Sequence, residues 1–169
     1  MNGALTALCE LLVRVAKIAL GVLTGAIVAV TLAAVWWRYA LNAPLSWTEQ
    51  VCRIFFVWMT FLGAAVLYRE RLHVAIDMFV LMLPRPARMA VLWFVEGLIL
   101  VFSLVLLVYG AKLSVDTLDQ TFGALDISPA TFYFAAPVAG AMMILFFFEL
   151  LLTPARRVAL DKIGVSTSV

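Results

Sequence analysis

The sequence predicts an all-α integral membrane protein with four transmembrane helices, and three observations lead there. Of 169 residues, 66% are apolar and only 13% charged, against about a quarter charged in ordinary soluble domains. The apolar residues gather into four long runs, at about 18–37, 47–68, 89–111 and 129–152. Each run is near the roughly 20 residues that cross about 30 Å of hydrocarbon as a helix. The connections are short and hold most of the charge, and the whole chain, 1–169, reads as one membrane domain. A net charge of +2 is too small and too scattered to attract nucleic acid.

Residues 1–17 carry Glu10, Arg14 and Lys17 between apolar positions, which predicts a short interfacial helix leading into the first run. The run from Ile18 to Trp37 has no charge and ends in Trp-Trp-Arg-Tyr. Cleaved signal peptides have cores of roughly 7 to 15 residues followed by a small-x-small site, so this run reads as a retained span. Gly21, Gly25, Ala29 and Ala33 recur every fourth residue, a small-residue stripe that lets another helix approach closely. Cys9 and Cys52 flank the run and so belong on opposite sides of the bilayer, too far apart for a disulfide.

Most of the polar chemistry sits between Trp36 and Arg53. Asn42 and Pro44 are turn residues that stop a helix and reverse the chain. Ser46 and Glu49 stand at capping-box spacing, predicting a second helix from about Ser46. Glu49 and Arg53 are four apart with the acid first, the favourable order for a pair on one helix face. Trp36, Trp37, Tyr39 and Trp47 flank the turn, and such rings prefer the headgroup level, so the hairpin tip belongs at a membrane interface.

After the second run, the stretch from about 71 to 83 is too short to cross and predicts a short interfacial helix, stopped by Pro84-Arg85-Pro86. Glu70, His73 and Asp77 share one of its faces. The third run is interrupted only by Glu96. A polar connection, 112–128, bears Asp116, Asp119 and Asp126, and Ser128-Pro129 is a helix-start signal. The fourth run contains Pro137, which predicts a kink, and Ala136 and Gly140 at small-xxx-small spacing. Nine of the twelve Lys and Arg residues fall on one side of this arrangement, and Arg38, Arg53 and Lys112 on the other. Both termini are therefore expected in the cytoplasm, with the hairpin tip and the three-aspartate loop outside.

Glu96 and Glu149 lie roughly 10 to 12 Å inside the inner face by the helical rise. Two readings stand. Intramembrane acids mark transport paths; alternatively each forms a structural pair, Glu96 with Lys17 or Arg14 or with a basic residue on a partner, shallow enough to snorkel toward water. His73 with Asp77 reads as a proton relay or as a hydrogen-bonded pair on a surface helix. No nucleotide loop, nucleophile motif or metal-ligand cluster is present, so the chain is not expected to be an enzyme, and a disulfide-generating redox protein would need outer cysteine pairs that it lacks.

Taken together, Arg38-Tyr39, Asn42, Pro44-Leu45-Ser46-Trp47-Thr48-Glu49, Arg53, Trp58, Phe61-Leu62-Gly63-Ala64, and then His73 with Asp77 resemble the small membrane subunit, DctQ-like, of tripartite ATP-independent periplasmic (TRAP) transporters. The family often has two acids where this chain has Glu49-Gln50. The resemblance implies a four-span subunit in the bacterial inner membrane, bound among lipids to a large DctM-like subunit that carries the substrate and sodium sites. No cofactor is implied in this chain. A periplasmic binding protein would deliver a carboxylate-bearing solute, and the small subunit would act as a scaffold. Arg38, Tyr39, Asn42, Pro44, Trp47, Glu49, Arg53, Trp58, Gly63, His73, Asp77 and Glu96 are then structural or partner-contact residues. The competing expectation is a self-sufficient oligomeric transporter or channel with Glu96 or Glu149 in its path.

Overall fold

The computed structural model describes residues 2–70, 84–121 and 123–152. Its helices are α1 (Asn2–Ala40), α2 (Thr48–Glu70), α3 (Arg85–Asp116), α4 (Ala130–Tyr133) and α5 (Ala135–Leu152). Among the described residues four stretches are long and apolar enough to cross a membrane, α4 and α5 together making the fourth. The segment 71–83, with His73 and Asp77, and the tail beyond Leu152 lie outside the described residues.

Residues 2–17 form no separate interfacial helix. With neither proline nor a turn residue to break it, α1 is continuous for 39 residues, about 58 Å by the helical rise. It stops where expected. Asn42 takes a left-handed conformation (φ 49°), which asparagine tolerates better than most side chains. The Ala43 amide then turns back to the Trp37 carbonyl.

The capping box at Ser46 does not form. α2 begins at Thr48, whose hydroxyl donates to the Leu45 carbonyl at 2.9 Å, and the Glu49 carboxylate accepts from Arg53 instead. Because the helix opens at Thr48, Glu49 is its second residue and not the third that a capping box needs. The Pro84-Arg85-Pro86 stretch opens α3 four residues before the expected Met89, with Pro84 extended at the cap (ψ 150°) and Pro86 in the first turn; whether it also stops a helix over 71–83 lies outside the described residues. Proline suits a first turn because the amides there have no helical acceptor. α3 continues to Asp116, so Lys112 and Asp116 belong to its last turns and not to a loop.

Pro137 interrupts the fourth span. Lacking an N–H, it cannot bond the Tyr133 carbonyl, and the helix breaks at Phe134 between α4 and α5. Beyond the break α5 is the centre of the molecule, with α3 on one side and α2 and α1 on the other. Its buried side chains include Ala139, Met142, Met143 and Phe146, which meet Cys9, Val13 and Ala16 of α1 and Leu62, Ala65 and Val66 of α2.

Small residues set the α3–α5 approach. A Cβ on Gly140 would come within 2.8 Å of the Ser103 carbonyl oxygen, and one on Gly110 within 2.9 Å of Pro137 Cδ and 3.2 Å of Ala136 Cβ. Ala136 and Gly140 thus lie at a close helix crossing. The stripe on α1 does not: nothing lies within 4 Å of a Cβ on Gly21 or Gly25, and Ala29 is exposed. Among the described residues no helix covers Gly21, Gly25 or Ala29. α1 instead meets α2 on another face, antiparallel, with Thr31 opposite Cys52, Thr24 opposite Met59 and Leu20 against Gly63.

Candidate functional site

Three consecutive residues at the end of α2 hold the end of the molecule opposite the hairpin. Side chains 100° apart on a helix sweep about 200° over three positions, so each can reach a different neighbour. Tyr68 donates its hydroxyl to Glu96 Oε2 on α3 at 2.6 Å. Arg69 Nε and Nη2 donate to the two carboxylate oxygens of Glu149 on α5, each at 2.9 Å. Glu70 pairs with Lys17 on α1. One helix end therefore ties all three other spans.

The central tie is the deepest. The Glu149 side chain is 0% exposed and that of Arg69 is 7% exposed. The planar guanidinium matches the carboxylate as a two-pronged fork, and its carbon lies 5.5 Å from the centre of the Phe146 ring, within cation–π range. Neither ion could stay charged there alone without a penalty of several kcal/mol.

These contacts revise the reading of the two acids. Glu96 bonds Tyr68, not Lys17 or Arg14, because α5 separates its helix from α1 and Glu70 already occupies Lys17. At 5% and 0% exposure neither Glu96 nor Glu149 reaches water by snorkelling. Sequence reasoning counted Arg69 only as a charge marking one side. The available signal was an acid within a span, which needs a cation, and a basic residue closing another span at the same end.

The hairpin end is stitched by polar groups of α2. Trp58 Nε1 donates to the Thr131 carbonyl of α4 at 2.8 Å. Gln50 Oε1 accepts the Leu125 amide at 3.2 Å, and Gly123 (φ 82°) runs so close that a Cβ would collide with the Gln50 amide. Ser128 accepts the Ala130 amide, as its helix-start position predicts, and donates to the Thr117 carbonyl at 2.6 Å. Gln50 was singled out only as a departure from an acidic pair, yet its oxygen clamps the loop without adding a charge. Gln50→Ala is expected to cost about 1 kcal/mol, the ordinary worth of one hydrogen bond, and to speed limited proteolysis between residues 118 and 127. An unchanged cleavage rate would remove the clamp from the account.

Around this clamp lies an exposed rim. Glu49 and Arg53 pair at 3.1 Å with side chains 85% and 54% exposed, a geometry that adds little stability. They line a groove of about 170 Å³ with Ser46, Gln50, Gly123 and Phe132. Glu49 also borders a second groove with Thr31, Arg38 and Cys52. Arg38, Asn42, Pro44, Asp116, Asp119 and Asp126 are exposed here, as are the rings of Trp36, Trp37, Tyr39 and Trp47. A Cβ on Gly63 would make only an ordinary contact, 3.9 Å from Leu20 Cδ2. Cys9 and Cys52 lie at opposite ends of the α1–α2 pair and are not joined in a disulfide.

A helical membrane module emerges, its buried ion pair tied between its own helices and an exposed charged rim at the hairpin end. The chain belongs to the DctQ component family of tripartite ATP-independent periplasmic transporters, whose profile matches residues 27–157, and it is a small permease subunit and not an enzyme. It is 30% identical over 107 residues to a protein of Haemophilus influenzae named as a TRAP transporter small permease, covering 63% of this chain and 66% of that one. It is 28% identical over 127 residues to the sialic acid TRAP transporter small permease SiaQ of Vibrio cholerae, covering 73% of each. With the sialic acid TRAP transporter permease SiaT of H. influenzae it shares 27% over 129 residues, which is 76% of this chain but 21% of SiaT.

Proposed function

We propose that this subunit braces a large DctM-like membrane subunit, which carries out sodium-driven uptake of a carboxylate-bearing solute delivered by a periplasmic binding protein. The observation that carries the reading is the SiaT match: a stretch similar to this chain makes up about a fifth of a much longer permease polypeptide. A segment built into such a chain in one relative is expected to sit beside the equivalent subunit when separate. The ties through Tyr68, Arg69 and Glu70 support a rigid role, since they hold the four spans in one arrangement. Sialic acid, named for two of the relatives, bears a carboxylate and supports that solute class.

In this reading the subunit lies in the bacterial inner membrane with both termini cytoplasmic. It needs no cofactor of its own, sodium being bound by the large partner. Arg38, Glu49 and Arg53 face the partners, and Asp116, Asp119 and Asp126 offer negative charge to basic patches on the binding protein, a contact that weakens with salt. The test is reconstitution in liposomes under a sodium gradient. Uptake is expected only with all three proteins, and Glu49→Lys should lower it. Uptake by this chain alone would overturn the proposal in favour of a self-sufficient transporter.

A further inference from the structure

One groove at the hairpin end is lined by polar groups whose bonding capacity the fold leaves unused. It lies between α1 and α2, with a volume of about 220 Å³, and its walls are Thr31, Ala34 and Arg38 on one helix and Thr48, Glu49 and Cys52 on the other. Arg38 is exposed and has neither an ion pair nor a hydrogen bond among the described residues. Arg53 holds only Oε1 of Glu49, which leaves Oε2 without a partner. A guanidinium and a carboxylate thus border one space without bonding each other. The third unused group is the Thr31 hydroxyl. Thr24, Thr60, Ser103 and Ser114 each donate to the carbonyl four residues back, a common way to satisfy a hydroxyl within a helix. Thr31 makes no such bond; it meets only the Cys52 sulfur, a weak partner, at 3.9 Å.

Depth decides what kind of molecule fits. Trp36, Trp37 and Trp47 are exposed and mark the headgroup level, and Arg38 and Glu49 stand beside them in the chain. Thr31 precedes Trp36 by a turn and a half, about 8 Å nearer the bilayer centre by the helical rise. The groove therefore runs from the headgroup level to the depth of the ester links below it. A ligand from water would leave the inner end facing acyl chains. The neighbouring groove at Gln50 and Arg53 differs, since its polar groups are already engaged: Arg53 by Glu49 and Gln50 by the Leu125 amide.

We infer that this groove binds the headgroup of one phospholipid of the leaflet at the hairpin end, a lipid bearing both a phosphate and a primary ammonium, as phosphatidylethanolamine does. The phosphate accepts charge-assisted bonds from Arg38, and the ammonium donates to Glu49. The Thr31 hydroxyl donates to an ester carbonyl beneath them. A quaternary ammonium has no N–H to give Glu49, and an anionic headgroup brings it no cation. The inference stands apart from the bracing role, which holds whether a partner subunit meets these side chains directly or across the lipid.

The test is native mass spectrometry of the chain, purified in detergent, stripped of lipid and mixed with equal amounts of phosphatidylethanolamine, phosphatidylcholine and phosphatidylglycerol. Phosphatidylethanolamine adducts are expected about tenfold above either of the others, the worth of one charge-assisted hydrogen bond. Arg38→Gln should lower them about tenfold by the same measure, while Lys112→Gln, the same change of charge on α3, leaves them unchanged. Glu49→Gln should erase the preference over phosphatidylglycerol without lowering phosphatidylglycerol itself. Equal retention of the three lipids would overturn the site, as would a loss with Lys112→Gln matching that with Arg38→Gln. It falls equally if glycerophosphoethanolamine, which lacks acyl chains, binds as tightly as the lipid, because the groove would then take a solute.

Discussion

Glu149→Ala is expected to destabilise the folded subunit by about 3–5 kcal/mol, the usual consequence of removing one partner from a buried ion pair. The change leaves the Arg69 guanidinium, 7% exposed, facing the vacated site. Arg69→Lys should fall between wild type and Glu149→Ala, because an ammonium cannot make the two parallel bonds at 2.9 Å. The double replacement Arg69→Met with Glu149→Leu is the informative control. Replacing a whole buried pair by apolar side chains of similar volume is often neutral or better, so most of the lost stability should return. Thermal denaturation in detergent, read as loss of the monodisperse species, checks all three. A Glu149→Ala variant melting with wild type would mean that the pair does not hold α2 to α5.

The second large effect is expected at the α3–α5 crossing. Gly140→Leu drives a side chain into the Ser103 carbonyl oxygen and the Leu107 amide nitrogen, which lie 2.8 and 3.0 Å from the position of its Cβ. Both are backbone atoms of α3, so no rotamer change relieves the overlap and the helices must part. Overpacking of this kind costs typically 1–3 kcal/mol, and here it also loosens the approach of Gly110 to Pro137. Gly140→Ala should show a smaller loss of the same sign. Gly97→Ala is the contrast: nothing lies within 4 Å of its Cβ, so the better helix propensity of alanine should add up to about 1 kcal/mol. Equal melting temperatures for Gly140→Ala and Gly97→Ala would contradict the close crossing.

Local chemistry made much of the architecture legible in advance. Four apolar runs of membrane length mark the spans, since hydrocarbon thickness and helical rise together set how many residues must be apolar. Asn42 ends α1 by adopting a backbone conformation that few other side chains accept. Ser128-Pro129 opens the fourth span and Pro137 breaks it, each through the presence or lack of one hydrogen-bonding group. The string from Arg38 to Asp77 carried the family. All of these depend on residues within a few positions of one another.

Which polar groups would meet was decided only by the tertiary structure. Arg69 and Glu149 are 80 positions apart, and whether they meet depends on the rotation and crossing of two helices that are apolar nearly all round. The spacing of small residues is as clear at Gly21 and Gly25 as at Ala136 and Gly140, yet one pair faces outward and the other sits at a helix contact. In a soluble protein the polar face of a helix would show which side turns inward. In a bilayer both the interior and the surroundings are apolar, so the sequence by itself determined how many times this chain crosses and where it turns, and only packing chose the faces and the pairs.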